Sequence, residues 1–84
     1  MDVTTLLYDE FKRLRPQETT DPSWFQKVFS TLSASKYDEW IRYIHLFEEK
    51  NMIELSTEGG YLVYKRISKQ DNFASQVKDV LHLK

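Results

Sequence analysis

KYDEWIRYIHLFEEKNMIEL, residues 36–55, is the stretch of sequence that decides the fold. Its first part places apolar side chains at helical spacing on one face, namely Tyr37, Trp40, Ile41, Ile44 and Phe47. This pattern predicts a helix over about 36–50. Ser35, followed three residues later by Asp38, has the form of a capping box at its start. The helix is expected to end near Lys50-Asn51, because asparagine tolerates the left-handed conformation that closes helices.

Directly after this helix the spacing of apolar residues changes from helical to alternating. Two runs show this alternation, 52–56 and 61–67, and β-branched and aromatic residues dominate the second. The segment between them, Thr57-Glu58-Gly59-Gly60, contains both glycines of the chain. Because adjacent glycines supply the positive φ angles of a tight hairpin turn, the sequence predicts an antiparallel hairpin over about 52–67.

Two helices are predicted before this stretch. The first covers about 3–15 and is ended by Pro16, since the residue before a proline leaves the helical region. Its apolar face consists of Val3, Leu6, Leu7, Phe11 and Leu14. The second covers about 22–33 and begins at Asp21-Pro22, a capping carboxylate followed by a proline at the first helical position. Its apolar stripe consists of Trp24, Phe25, Val28, Phe29 and Leu32. The two tryptophans, Trp24 and Trp40, are predicted to anchor the core between the second and third helices.

A final helix is predicted over about 72–83, with Ser68 and Asp71 near its start as capping residues. One side of it is apolar and consists of Phe73, Val77, Val80 and Leu81. This side either folds over the core of its own chain or pairs with a second copy, and a homodimer through this helix is one expectation.

The composition predicts one small cytoplasmic domain. The chain has 84 residues, no cysteine, and 12 basic against 13 acidic residues, which gives a net charge of −1. No apolar run is long enough to span a membrane, and no signal peptide is visible at the N-terminus. Without disulfides or thiolate ligands, apolar packing must supply the stability. The balanced charge also weakens the simplest argument for nucleic-acid binding.

The order helix, helix, tight turn, helix, hairpin, helix resembles the winged helix-turn-helix superfamily. The resemblance lies in Ser35 to Ile67, with Asp21 to Leu32 as the preceding helix, and it is one of layout. It implies an α+β fold, mostly α, with a hairpin wing. The short strand that many members place between the first two helices falls in Gln17–Thr20, which is too short and polar to show it. A four-helix bundle with an inserted hairpin is the alternative architecture.

Catalysis is poorly supported by the sequence. His45 and His82 are far apart, no metal-binding spacing is present, and no serine lies in a nucleophile elbow. Gly59-Gly60 follows a strand but precedes neither a helix nor a lysine, so it is not a phosphate loop. We expect neither enzyme activity nor a metal or other cofactor.

The resemblance implies a regulator of transcription or replication that binds double-stranded DNA. The outer face of the third helix would enter the major groove. The candidate DNA-binding residues are Lys36, Arg42, Tyr43 and Lys50 on that helix and Lys65 and Arg66 at the wing. Four acids on the same helix and Glu58 at the wing tip oppose this interpretation, because they repel phosphates.

The alternative is a protein-interaction module, such as an adaptor or inhibitor, that does not bind DNA. It rests on the acid-rich third helix and on surface aromatic residues, which are common in protein interfaces. The candidate interface residues are Tyr43, Leu46, Glu39 and Glu49. Tyr8, Tyr43 and one of Tyr61 and Tyr64 are predicted to be partly exposed.

Overall fold

The computed structural model describes residues 2–83, in which four helices accompany a two-stranded antiparallel sheet. The elements in chain order are α1 (Val3–Phe11), α2 (Trp24–Thr31), α3 (Ala34–Glu49), β1 (Ile53–Glu58), β2 (Tyr61–Arg66) and α4 (Phe73–Leu81). The predicted α+β class with mostly helical content is confirmed, and the element order is compatible with a winged-helix layout. None of the helices within residues 2–83 combines the length and the apolar content needed to cross a bilayer.

The predicted helices all exist, but several of their ends and caps differ from the prediction. The first helix ends at Phe11 and not at 15, because Leu14 donates its amide to the Phe11 carbonyl in a tight turn and then enters the core. The second begins at Trp24, since Asp21 accepts hydrogen bonds from the Ser23 amide and hydroxyl in a turn that precedes it.

The hydrogen bond that the Ser23 backbone amide donates to the Asp21 carboxylate is also the main reason why the pKa of Asp21 lies below its ordinary value. At the third helix the N-cap is Ser33 and not Ser35, and at the fourth it is Asn72, whereas Ser68 bonds the Gln76 side chain.

The hairpin forms with the turn that the two glycines predict. Gly59 and Gly60 have φ angles of 58° and 83°, and Glu58 pairs directly with Tyr61 across them. Two successive positive φ angles define the type I′ turn, whose twist matches that of the flanking strands. The antiparallel register then runs to the pair Ile53 and Arg66.

A third chain segment reaches β2 where the sequence showed no strand. Thr19 forms an isolated antiparallel bridge with Lys65, and the Thr20 amide donates to the Tyr64 carbonyl at 2.8 Å. The Arg66 amide donates to the Glu18 carbonyl at 2.9 Å. The segment 17–20 was predicted to be too polar to show a strand, yet these bonds join backbone groups and need no apolar side chain. The second edge of β2 is therefore occupied.

Aromatic rings form the centre of the core, where α2, α3 and β2 meet. Trp24 and Trp40 lie with ring centroids 6.0 Å apart, as the sequence predicted, and Tyr64 contacts both. On the other side, α4 packs against α1 and α3. Its apolar side chains are all buried in the chain itself, which is the first of the two alternatives offered for this helix: Phe73, Val77, Val80 and Leu81.

Candidate functional site

Three basic side chains of α3 are presented to solvent. Lys36, Arg42 and Lys50 are exposed, and within residues 2–83 none of them forms an ion pair. Tyr43 is half-buried, because it packs partly against the core. Lys50 lies toward α4, where it lines a shallow cavity with Asp79. The basic residues on α3 are thus free to contact an anion, although they do not form one continuous cluster.

The two basic residues of the hairpin are engaged inside the chain. Arg66, predicted to contact DNA, has only 7% of its surface exposed. It donates to the carbonyls of Leu14, Ser68 and Gln70 at 2.6, 2.8 and 2.8 Å, and its guanidinium lies 4.2 Å from the centre of the Phe73 ring. The prediction is therefore wrong for Arg66, since every guanidinium nitrogen is already bonded to a carbonyl.

Lys65, the other predicted hairpin contact, is half-buried and pairs with Glu54 across the two strands at 3.7 Å. The pair has high solvent exposure on the Glu54 side, so it restrains the lysine only weakly.

Acidic side chains surround the exposed bases. Glu49 is exposed and Glu39 half-buried on α3, and Glu58 lies exposed at the hairpin tip, where Thr19 donates to it at 2.7 Å. His45 is exposed and lies 3.6 Å from Glu48. A phosphate backbone approaching α3 and the hairpin together would therefore meet repulsion at both elements.

Another part of the α3 surface holds Leu46, which was proposed as a protein contact. This leucine is 38% exposed and lines the same shallow cavity near α4 as Lys50. Tyr43 precedes it on the flank of α3 that carries Lys50. Leu46 is the only large exposed apolar side chain of α3 within residues 2–83.

The larger exposed apolar side chains lie on α2 and the hairpin. Phe29, Leu55 and Leu62 are 55%, 52% and 51% exposed. Leu55 lies directly opposite Tyr64, and Leu62 is two residues from Tyr64 on the same face of the hairpin. These residues were not predicted as site residues.

Ring contacts connect Tyr64, the cross-strand partner of Leu55, to α2. The Tyr64 ring lies 5.3 Å from that of Phe25, which in turn lies 5.9 Å from that of Phe29. We name Phe25, Phe29, Leu55 and Leu62 together the apolar patch. Tyr61 is also exposed, but it lies on the opposite face of the hairpin, beside the start of α2.

Two polar groups lie buried beneath the apolar patch. Burial raises the pKa of the Tyr64 hydroxyl above its ordinary value, and the negative charge of Glu48 adds to this effect. The Trp40 indole nitrogen is buried with no hydrogen-bond acceptor within residues 2–83.

A surface cavity of about 340 Å³ lies away from the apolar patch. Its charged lining residues are Glu10, Arg13, Glu18, Asp21 and Glu58. Glu10 is buried and accepts hydrogen bonds from the Arg13 side chain and the Asp21 amide. These bonds tie α1 to the start of α2, so Glu10 serves the fold. Within residues 2–83 no three His, Cys, Asp or Glu side chains come together as metal ligands.

The chain was compared with known proteins at the level of sequence families, individual sequences and structures. It matches no protein-family model, no curated protein and no solved structure.

Proposed function

We propose that the chain is a winged-helix module that binds another protein through the apolar patch, as an adaptor or inhibitor does. The fold part of this proposal rests on the order of the elements and on the segment 17–20. This segment pairs with β2, as does the short strand that many winged-helix proteins have between their first two helices. A four-helix bundle with an inserted hairpin would not require this pairing.

The observation that carries the function is the apolar patch itself. Three large apolar side chains are more than half exposed, namely Phe29 on α2 and Leu55 and Leu62 on the face of the hairpin that carries Tyr64. Exposed apolar side chains that lie close together mark interaction sites in soluble proteins. Exposed acids on α3 and at the hairpin tip, Glu49 and Glu58, disfavour nucleic acid and leave a protein surface as the better fit.

A cross-linking experiment tests this function. A photoreactive phenylalanine analogue at position 62 is expected to cross-link a partner in cells that express the chain, whereas the same analogue at exposed position 75 on α4 is not. Leu55→Ser is expected to weaken this capture about tenfold or more, because burying a leucine contributes about 1.5–3 kcal/mol to binding. The captured species is read by mass spectrometry.

Leu46→Ser is the matched control, since it removes an exposed leucine from a different surface. Capture that survives Leu55→Ser but is lost with Leu46→Ser would move the interface to the α3 surface with Tyr43, Glu39 and Glu49. The absence of any cross-link from position 62 would contradict the proposal.

DNA binding is the second candidate function, and one observation favours it. Lys36, Arg42 and Lys50 are exposed on α3 without ion-pair partners within residues 2–83. A regulator of transcription or replication would use them for phosphate or guanine contacts.

Anisotropy of a labelled duplex, measured at low and at physiological salt, tests the DNA candidate. If the module binds DNA, affinity falls steeply with salt, and Arg42→Ala weakens specific binding by about 1–3 kcal/mol without changing the melting temperature. Glu49→Gln is a control with the opposite expected effect: it strengthens DNA binding, because it removes a charge that repels phosphates. A duplex that stays unbound at low salt and about tens of micromolar protein eliminates this candidate.

A further inference from the structure

The outer edge of β1 is an open strand edge. Tyr64 and Arg66 direct their backbone groups away from β1, toward Thr20 and Glu18. In an antiparallel pair of this kind the opposite residue also directs its amide and carbonyl outward. Leu55, opposite Tyr64, and by alternation Thr57 therefore point their backbone groups away from β2. Within residues 2–83 neither residue makes a backbone hydrogen bond on that outer side.

The side chains along this edge are sorted by chemistry. Leu55 lies on one face of β1, the same face of the hairpin that carries Leu62. Glu54 and Glu58 lie on the other face and are exposed, Glu54 in a pair with Lys65 and Glu58 as the acceptor of the Thr19 hydroxyl. β1 contains no basic residue. An added strand would thus meet apolar side chains on one face and carboxylates on the other.

We propose that the open edge of β1 receives an extended segment of the protein partner as an added strand, in which apolar residues alternate with lysine or arginine. The backbone groups of Leu55 and Thr57 pair with the segment. Its apolar side chains cover Leu55, and its basic side chains lie on the face of the sheet that carries Glu54 and Glu58. This inference rests on the proposed function and specifies the chemistry of the partner and the way it binds.

A second copy of the chain fits this edge less well than a basic segment does. Two β1 strands paired antiparallel through Leu55 and Thr57 would place the Glu54 and Glu58 carboxylates of both copies on one face of the joined sheet. Like charges on neighbouring strands are destabilising, and charged residues of this kind protect natural strand edges from self-association. The same carboxylates attract a basic strand.

A synthetic peptide of alternating lysine and valine is the probe for this proposal, with a peptide of alternating glutamate and valine as its matched control. We expect the lysine peptide to bind at least about tenfold more tightly than the glutamate peptide. In nuclear magnetic resonance spectra the lysine peptide should shift the amide signals of Leu55 and Thr57 and slow their hydrogen exchange. The Ser56 amide, which faces β2, should stay protected with or without the peptide.

Thr57→Pro separates strand addition from simple side-chain docking. It removes an amide that points outward, so the β1–β2 ladder loses no hydrogen bond, and proline is tolerated on an edge strand in this orientation. We expect Thr57→Pro to weaken the lysine peptide about tenfold, and Thr57→Val, which keeps the amide, to have little effect. Circular dichroism confirms that both variants remain folded before binding is measured.

The outcomes separate failure of this inference from failure of the proposed function. Equal binding of the lysine peptide to wild type and Thr57→Pro, equal binding of both peptides, or unchanged Leu55 and Thr57 amides would each overturn strand addition by a basic segment. If strand addition fails but the cross-link from position 62 is still obtained in cells, the apolar patch binds a protein by side chains alone. If that cross-link is also absent, the proposed function itself fails.

Discussion

Replacing Trp40 with alanine lowers the free energy of unfolding by about 3–5 kcal/mol, the range found when a large buried aromatic is truncated. The side chain is 1% exposed, and its ring lies 5.6 to 6.2 Å from the rings of Tyr37, Phe25, Trp24 and Tyr64. It therefore joins α2, α3 and β2 at a single point. The total free energy of unfolding of a domain is only about 5–15 kcal/mol, so the variant is expected to lose much of its cooperative unfolding transition.

Urea denaturation followed by circular dichroism measures this loss. Tyr61→Ala is the matched control, because it also removes an aromatic ring but from an exposed position, and it is expected to change stability by no more than about 0.5 kcal/mol. Trp40→Phe should lower the free energy of unfolding by less than Trp40→Ala does, since it keeps a ring and removes an indole N–H group that has no acceptor. A Trp40→Ala variant with the parent midpoint would contradict the packing described for α3.

The elements of this fold were predictable because local signals and tertiary packing agree in them. The stripe from Tyr37 to Phe47 and the adjacent glycines at 59 and 60 each have one favourable structure. Helix ends were less predictable, because they depend on tertiary contacts of the residues that follow the helix. The chain leaves the helix before Leu14, whose side chain is buried in the core by residues far away in sequence.

The burial of the Arg66 side chain could have been predicted from strand alternation. It lies on the face of β2 that carries Tyr64, and its partner across the strands is Ile53, which is buried. The prediction failed because a basic residue near the end of a hairpin was interpreted by charge alone. The carbonyls that surround it come from three separate loop positions, and no sequence pattern brings those together.

The apolar patch was not predictable for a different reason. Phe29 belongs to the apolar stripe predicted for α2, yet it is more than half exposed, because that stripe is wider than the surface it packs against. Leu55 and Leu62 alternate correctly toward the side of the hairpin that packs on the core. They are exposed because Leu55 is on the outer strand and Leu62 lies near the turn, at the margin of the core that covers Tyr64, and the position of this margin follows from tertiary structure alone.

Arg66→Ala is expected to lower the free energy of unfolding by about 2–4 kcal/mol. The substitution leaves three carbonyls, those of Leu14, Ser68 and Gln70, without their donor, and it removes the cation from the face of Phe73. These carbonyls belong to the segment after α1 and the connection from β2 to α4. The loss should therefore loosen the attachment of α4, which hydrogen exchange of the α4 amides would detect before global unfolding.

Two variants identify the cause of this loss. Arg66→Lys keeps the charge but lacks the planar fork that reaches three carbonyls, so it should recover only a small part of the lost stability. Lys65→Ala removes the neighbouring base, which forms only a partly exposed ion pair with Glu54, and it should change stability by less than about 1 kcal/mol. An Arg66→Ala variant as stable as the parent would mean that the guanidinium is not held inside. Arg66 would then return to the residues that could contact a phosphate, and the DNA candidate would gain a second hairpin contact beside Lys65.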